Sequence, residues 1–191
     1  MELEAAIRDR RSIRRFRMDP VPKELIEEIL DLAFWAPSGM NQQNWHFVVV
    51  RGTRLRALRD ISKRAFDEHV ETSLTKVFTD RPQVVHATKR FFSTFGGAPV
   101  VILAYRTSTV EGESTDIQSV AAAIQNLLLA AHARGIGACW MTGPTHLEED
   151  VNRVVGIDGM RLQAVIPMGY PDIRPPIPKR RDGKVKWIGF D

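Results

Sequence analysis

Residues 36–45 read Ala-Pro-Ser-Gly-Met-Asn-Gln-Gln-Asn-Trp, and residues 10–16 read Arg-Arg-Ser-Ile-Arg-Arg-Phe. The first is a proline-opened polar loop with four amide side chains, whose donors and acceptors suit the edge of a flat polar ring. The second places Arg10, Arg11, Ser12 and Arg14 within five residues. A guanidinium is a planar fork that grips anion oxygens in pairs and keeps its charge at working pH. A heteroaromatic cofactor that carries a phosphate monoester needs both segments. Taken singly, an Arg cluster is usually a solvated surface, and Asn, Ser, Gly and Pro are ordinary turn residues. Their occurrence together carries the functional reading.

Outward from the amide loop, the elements alternate irregularly between helix and strand. Residues 2–10 suit a short helix with Leu3, Ala6 and Ile7 on one side. Pro22 opens a second helix, where its missing N–H costs little. Leu25, Ile29, Leu32, Ala33 and Ala36 recur at helical spacing, and Pro37 ends the run because a residue before proline avoids α geometry. The amide loop therefore follows a helix and precedes a strand at Phe47–Val50. A third helix is expected over 55–66, from Leu55, Leu58, Ile61, Ala65 and Phe66.

The pattern blurs between residues 67 and 97, read as a variable lid that contains Phe78, Phe91, Phe92 and Phe95. Phe91, Phe92 and Phe95 could wall an acceptor pocket, but core phenylalanine is the favoured reading. Pro99–Tyr105 is a continuous apolar run, a buried strand. Ile117, Val120, Ala121, Ile124, Leu127, Leu128 and Ala131 mark a helix that is apolar nearly all round, to be buried in a core or an interface. Gly135 closes it. Strands are expected at Ala138–Met141 and Leu162–Pro167, with a capping box at Thr145-His146-Leu147-Glu148 between them. Residues 171–178 are proline-rich and should run extended over the surface, ending in a β-like segment at Val185–Phe190. The sum is an α+β sandwich, a mostly antiparallel or mixed sheet covered by helices.

The chain has 191 residues, 43% hydrophobic, a formal charge of +4 and one cysteine. That bounds one domain over 1–191 and excludes an internal disulfide or multi-cysteine metal site. A lone cysteine fits a reducing cytosol. Glu2, Glu4 and Asp9 interrupt any leader, and no apolar run approaches membrane-spanning length. A cytoplasmic, membrane-free protein is the expectation. The charge is uneven: six of the ten residues from Arg8 to Arg17 are Arg, and a second basic cluster runs from Arg174 to Lys186. The two clusters could converge on one anion. Arg8, Arg15 and Arg17 are read as surface charges.

A third segment, Gly135-Ile-Gly137-Ala-Cys-Trp-Met-Thr-Gly-Pro144, completes the pattern. Together the three segments resemble the nitroreductase family, homodimeric oxidoreductases that use flavin mononucleotide (FMN). The resemblance runs in order from about residue 5 to residue 187. It implies a three-layer α-β-α sandwich whose C-terminal arm, residues 171–191, wraps the partner subunit and adds a strand to its sheet. It implies that Arg10, Ser12 and Arg14 bind the FMN phosphate and ribityl oxygens, with Arg11 close by. Pro178-Lys179-Arg180-Arg181 resembles the family's Lys-x-Arg pair, which makes Lys179 and Arg181 the second half of that clamp. Pro37-Ser38-Gly39-x-Asn41-x-Gln43-x-Trp45 resembles the family's Pro-Ser-x-x-Asn-x-Gln-Pro-Trp. Pro37, Ser38, Gly39, Asn41 and Gln43 are then set against the flavin held mainly by the other subunit, and Trp45 packs as structure. Asn44 stands where proline is usual, which should loosen the loop. Trp140, Met141, Thr142 and Gly143 are implied to run beside the flavin N5 edge, Gly143 allowing close approach.

The implied activity is electron transfer from NAD(P)H, a transient reductant, to nitroaromatic, quinone or similar electron-poor small molecules by a ping-pong course. Arg14 is the candidate to stabilise the anionic reduced ring. Relatives on this scaffold also dehalogenate aromatics reductively, fragment reduced FMN or dehydrogenate peptides. No side-chain acid or base is demanded of the protein, since the cofactor carries the redox chemistry. The residues agree: Gly135-x-Gly137 lacks a dinucleotide fingerprint, Ser38 has no nucleophile elbow, and five histidines show no metal spacing. Cys139 reads as a small buried hydrophobe. A nucleic-acid-binding module is disfavoured, because no aromatics interleave with the Arg run and no groove-reading motif is present.

Overall fold

In the computed structural model, which describes residues 1–190, a four-stranded antiparallel sheet lies between two helical layers. In chain order the elements are α1 (Leu3–Asp9), α2 (Lys23–Ala33), β1 (Trp45–Val50), α3 (Thr53–Ala65), α4 (Glu71–Val77), α5 (Pro82–Thr94), β2 (Val100–Arg106), α6 (Glu113–Ala133), β3 (Gly137–Ala138), α7 (Glu148–Val155) and β4 (Arg161–Gly169). The sheet order is β1-β2-β4-β3.

The period of two along β2 divides the core. Val100, Ile102 and Ala104 join Ala164, Ile166 and Met168 of β4 on one face, against α2 and α6. Val101, Leu103 and Tyr105 join Leu162 and Val165 on the other, against α3, α5 and α7. Every residue of β2 is buried, as expected of a central strand covered twice. α6 carries Val120, Ala123, Ile124, Leu127 and Ala131 at zero exposure on the face turned to the core. Trp45 is buried in the same core.

Several sequence expectations need correction. Helix α2 stops at Ala33, and Phe34–Ala36 form a turn before Pro37. Residues 145–148 are not a capping box: Gly143–Leu147 is a 3₁₀ turn, α7 starts at Glu148 without a side-chain cap, and Thr145 Oγ1 donates back to the Thr142 carbonyl. The expected Ala138–Met141 strand is only Gly137–Ala138, with Met141 rejoining Val165 through an isolated bridge. The 67–97 stretch is largely helical. A π-helical turn over Phe66–Val70 leads into α4, and α5 follows. Its hydrophobic period was obscured because the π turn shifts the phase between α3 and α4. Val185–Phe190 forms no strand within this chain; the segment is irregular and exposed.

Candidate functional site

The basic segment is held in place by backbone pairing. Ile13 N–H donates to the Ala138 carbonyl at 3.0 Å, and Ser12 bridges Ala138 in parallel. Further along, Phe16 N–H donates to the Gly96 carbonyl at 2.8 Å. Gly137 and Gly96 permit these approaches. A Cβ on Gly137 would lie 2.8 Å from Ile13, and one on Gly96 would lie 2.2 Å from the Arg14 carbonyl oxygen. Residues 10–16 are thereby laid along the edge of β3, next to Cys139–Gly143.

The result is a cleft of ≈ 1390 Å³ between the basic segment, residues 139–143 and helices α4 and α5. Arg14, Trp140, Met141, Thr142 and Gly143 all line it. Trp140 and Thr142 expose their side chains, whereas Met141 is buried in the core beneath. Gly143 has a structural reason that the sequence did not disclose: a Cβ there would stand 2.5 Å from the Phe92 ring. Phe91 and Phe92 are buried and also line the cleft, while Phe95 is wholly internal. Cys139 is buried, and burial pushes its thiol pKa up; nearby Arg14, Ser12 and Arg10 offset that only in part.

Arg10 and Arg11 turn toward a second cavity of ≈ 510 Å³, which Arg174 and His132 share. Burial presses the Arg10 pKa down, and the charges of Arg11 and Arg180 add to the effect. The tail residue that bears on Arg10 is thus Arg180. Lys179 and Arg181 are exposed in the irregular arm and line neither cleft. Arg11 Nε and Nη2 are buried without a partner among the described residues, as is His132 Nε2. By contrast, Arg8, Arg15 and Arg17 pair with Glu4, Asp172 and Asp19 at 2.7, 2.8 and 3.1 Å, as exposed surface ion pairs. The structure therefore separates the surface arginines from Arg10 and Arg14, which make no ion pair among the described residues.

The amide loop lies elsewhere and lines neither cleft. It docks on the start of α6: Gly39 N–H donates to Ser119 Oγ at 3.3 Å, and a Gly39 Cβ would meet Thr115 at 2.5 Å. Met40, Asn41 and Gln43 have φ of 44°, 56° and 47°. Left-handed backbone at non-glycine residues is rare and costs about 1–3 kcal/mol each when strained, and it gathers at functional sites. Ser38 Oγ accepts from Gln43 N–H at 2.9 Å, and Asn41 Oδ1 accepts from Gln43 Nε2 at 3.0 Å. Asn44 does not loosen this loop. It is buried, and its Nδ2 donates to the carbonyls of Thr107 at 3.2 Å and Asp116 at 3.4 Å. Asp116 anchors the same corner: its carboxylate accepts from Thr109 Oγ1 and N–H, bonds that lower its pKa against the opposing effect of burial, with Arg106 assisting.

Residues 7–170 match the Nitroreductase family. The chain belongs to that family. A putative NADH dehydrogenase/NAD(P)H nitroreductase of Methanothermobacter thermautotrophicus is 34% identical over 92% of this chain and 80% of its own. An iodotyrosine deiodinase of Thermotoga neapolitana is 31% identical over 95% of each chain. Among solved structures, a putative nitroreductase from Desulfovibrio desulfuricans in complex with FMN superposes with a TM-score of 0.71 and 28% identity, covering 95% of this chain and 93% of that one. The sandwich described above is the nitroreductase-like fold. Among the described residues, no helix is long and apolar enough to cross a membrane, and no group of His, Cys, Asp and Glu is placed to hold a metal ion.

Proposed function

We propose that this nitroreductase-family protein is an FMN-dependent oxidoreductase that passes electrons from NAD(P)H to electron-poor small molecules. One observation carries the reading: the Ser12–Ala138 bridge sets Arg14 and the Trp140–Gly143 edge in one cleft. The residues fit FMN. Arg10 and Arg14 offer guanidinium forks with no carboxylate on them among the described residues, and Ser12 adds a hydroxyl. Burial, with Arg11 and Arg180 adding to it, holds the Arg10 pKa down.

Arg10, Ser12 and Arg14 are assigned to the phosphate and ribityl oxygens, with Arg11 behind them and Lys179 and Arg181 closing from the arm. Trp140, Thr142 and the Met141–Gly143 backbone flank the ring. When bound, FMN supplies a carrier that takes a hydride from NAD(P)H and then hands two electrons to the acceptor. The protein binds, orients and shields; no side chain must move a proton. Reductant and acceptor use the same open face in turn, a ping-pong course. Residues 67–97 then act as the lid over that face.

The amide loop serves a flavin held by a second copy, which makes a homodimer part of this reading. Leu3, Ile7, Phe34, Trp35 and Ile117 expose apolar surface that a partner would cover. Strand β1 is the outermost strand of the sheet, whereas Ser12 flanks β3 at the other end. The exposed arm, with Val185, Trp187, Ile188 and Phe190, has the composition to pair with a partner's β1 edge. Reductive dehalogenation is the second reading, favoured by the likeness to the deiodinase.

The test is direct. Purified protein should be yellow and sediment as a dimer. Anaerobically, NADH or NADPH should bleach it, and a panel of nitroaromatics, quinones and halophenols should restore the colour. A colourless monomer that takes up no FMN would refute the proposal.

A further inference from the structure

The cleft carries more cationic surface than a phosphate clamp uses. Gln83, His86 and Arg90 recur at i, i+3 and i+7 along α5 and so share the helix face that lines the cleft. His69 and His146 line it too, stacked with 4.9 Å between ring centroids and 19° between planes. Among the described residues, no Asp or Glu lines this cleft. The acids of the lid face other groups: Asp67 and Glu71 hold Lys89 at 2.9 and 3.2 Å, and Asp80 lies 3.8 Å from Arg81. Glu68 lies 3.7 Å from both Arg64 Nε and His69 Nε2, and it stays outside the cleft. On the floor, Arg15 is already paired with Asp172. Arg90 is left exposed, with no ion-pair partner among the described residues. Leu74, Val77 and Phe78 add apolar surface to the same cleft. The volume of ≈ 1390 Å³ exceeds the ~300–1,000 Å³ of a site for one drug-sized ligand, which leaves room beside a bound cofactor.

We propose that the electron acceptor is an aromatic ring bearing an anionic group, a carboxylate foremost, and that Arg90 is the specificity-determining residue that receives it. The inference rests on the reading of this cleft as the flavin and acceptor site. A fork on an accessible helix face, flanked by His86 and by apolar walls, matches a flat ring with a charged end. Phosphates of the nicotinamide reductant share that chemistry, so the two half-reactions are measured apart.

The holoenzyme is reduced anaerobically and reoxidised by para-nitrobenzoate or by its neutral isostere para-nitrobenzamide. In parallel, the Kd values of benzoate and benzamide for the oxidised holoenzyme are measured by calorimetry. The wild type should favour the carboxylate by on the order of tenfold in both measurements, the scale of one charge-assisted contact. Arg90→Gln should erase that ratio and Arg90→Glu should invert it. Arg54→Gln removes an equal charge from an exposed site outside the cleft and should leave the ratio within about twofold, since remote exposed charges are screened. An unchanged ratio in Arg90→Glu overturns the inference. So does a variant slowed only in its reduction by NADPH, which would assign the anion to the reductant. A protein that binds no flavin instead refutes the parent reading, whereas one that binds flavin and reduces both acceptors equally refutes this inference alone.

Discussion

Asn44 and Thr107 are joined twice: the Asn44 side-chain amide donates to the Thr107 carbonyl at 3.2 Å, and the Thr107 N–H donates to the Asn44 carbonyl at 3.0 Å. The contact ties the strained amide loop to the segment that enters α6. A buried amide that bridges the carbonyls of Thr107 and Asp116 does by hydrogen bonding what a proline would do by restricting its own backbone. Asn44→Ala should cost about 1–3 kcal/mol, because those carbonyls lose their donor inside the protein. Chemical denaturation checks the stability. If the loop meets a partner's flavin as proposed, flavin retention should fall along with it; a variant with unchanged stability would refute the anchoring role.

How far the chain could be read in advance depended on whether the signal was local. Strand β2 and helix α6 were legible because their apolar runs are long and continuous. Arg8, Arg15 and Arg17 were separable from Arg10 and Arg14, yet the basis for that, partners at Glu4, Asp172 and Asp19, becomes visible only in three dimensions. Helix α4 is hidden in the sequence because a π turn breaks the period that leads into it. Asn44 was misjudged because a substitution for proline says nothing about carbonyls sixty or seventy residues away that an amide can reach. Gly143 was expected to make room for a cofactor, whereas the nearest obstacle to a side chain is Phe92.

That contact sets a second test. Gly143→Ala would bring a methyl to 2.5 Å from the buried Phe92 ring and 3.1 Å from Val70. Overpacking of this kind costs about 1–3 kcal/mol. Pairing it with Phe92→Leu should recover part of the loss, a coupling that a double-mutant cycle in thermal or denaturant melts reads directly. Strictly additive losses would mean that the two residues do not compete for space.

Alkaline behaviour should report on Tyr105. Its hydroxyl donates to Asn152 Oδ1 at 2.9 Å, and burial, aided by Glu148, pushes its pKa well above the ordinary phenol value. The folded state thus keeps the proton where an unfolded chain releases it. Stability from this group is complete below pH ~10 and declines as pH rises beyond it. Tyr105→Phe should be less stable at neutral pH by about 1 kcal/mol, the net worth of one hydrogen bond, and should lose less on going to pH ~11. Ultraviolet titration should show the Tyr105 phenol resisting ionisation for as long as the protein stays folded.

The arginines offer the sharpest discrimination. Arg10 and Arg14 have no carboxylate partner among the described residues, and Arg10 already suffers burial beside Arg11. Arg17 sits outside the cleft, paired with Asp19 at 3.1 Å and with its guanidinium 5.1 Å from the Tyr170 ring centroid. If Arg10 and Arg14 bind the phosphate, Arg10→Ala and Arg14→Ala should each weaken FMN binding by on the order of tenfold or more, as removal of a charge-assisted contact does. Arg17→Ala, an equal loss of charge, should leave it within about twofold. Relief of the Arg10–Arg11 repulsion should at the same time leave the Arg10→Ala apoprotein no less stable than the wild type. Flavin fluorescence titration gives the binding constants and apoprotein melts give the stability. Equal losses of FMN affinity at Arg10, Arg14 and Arg17 would reduce the basic segment to a general electrostatic field.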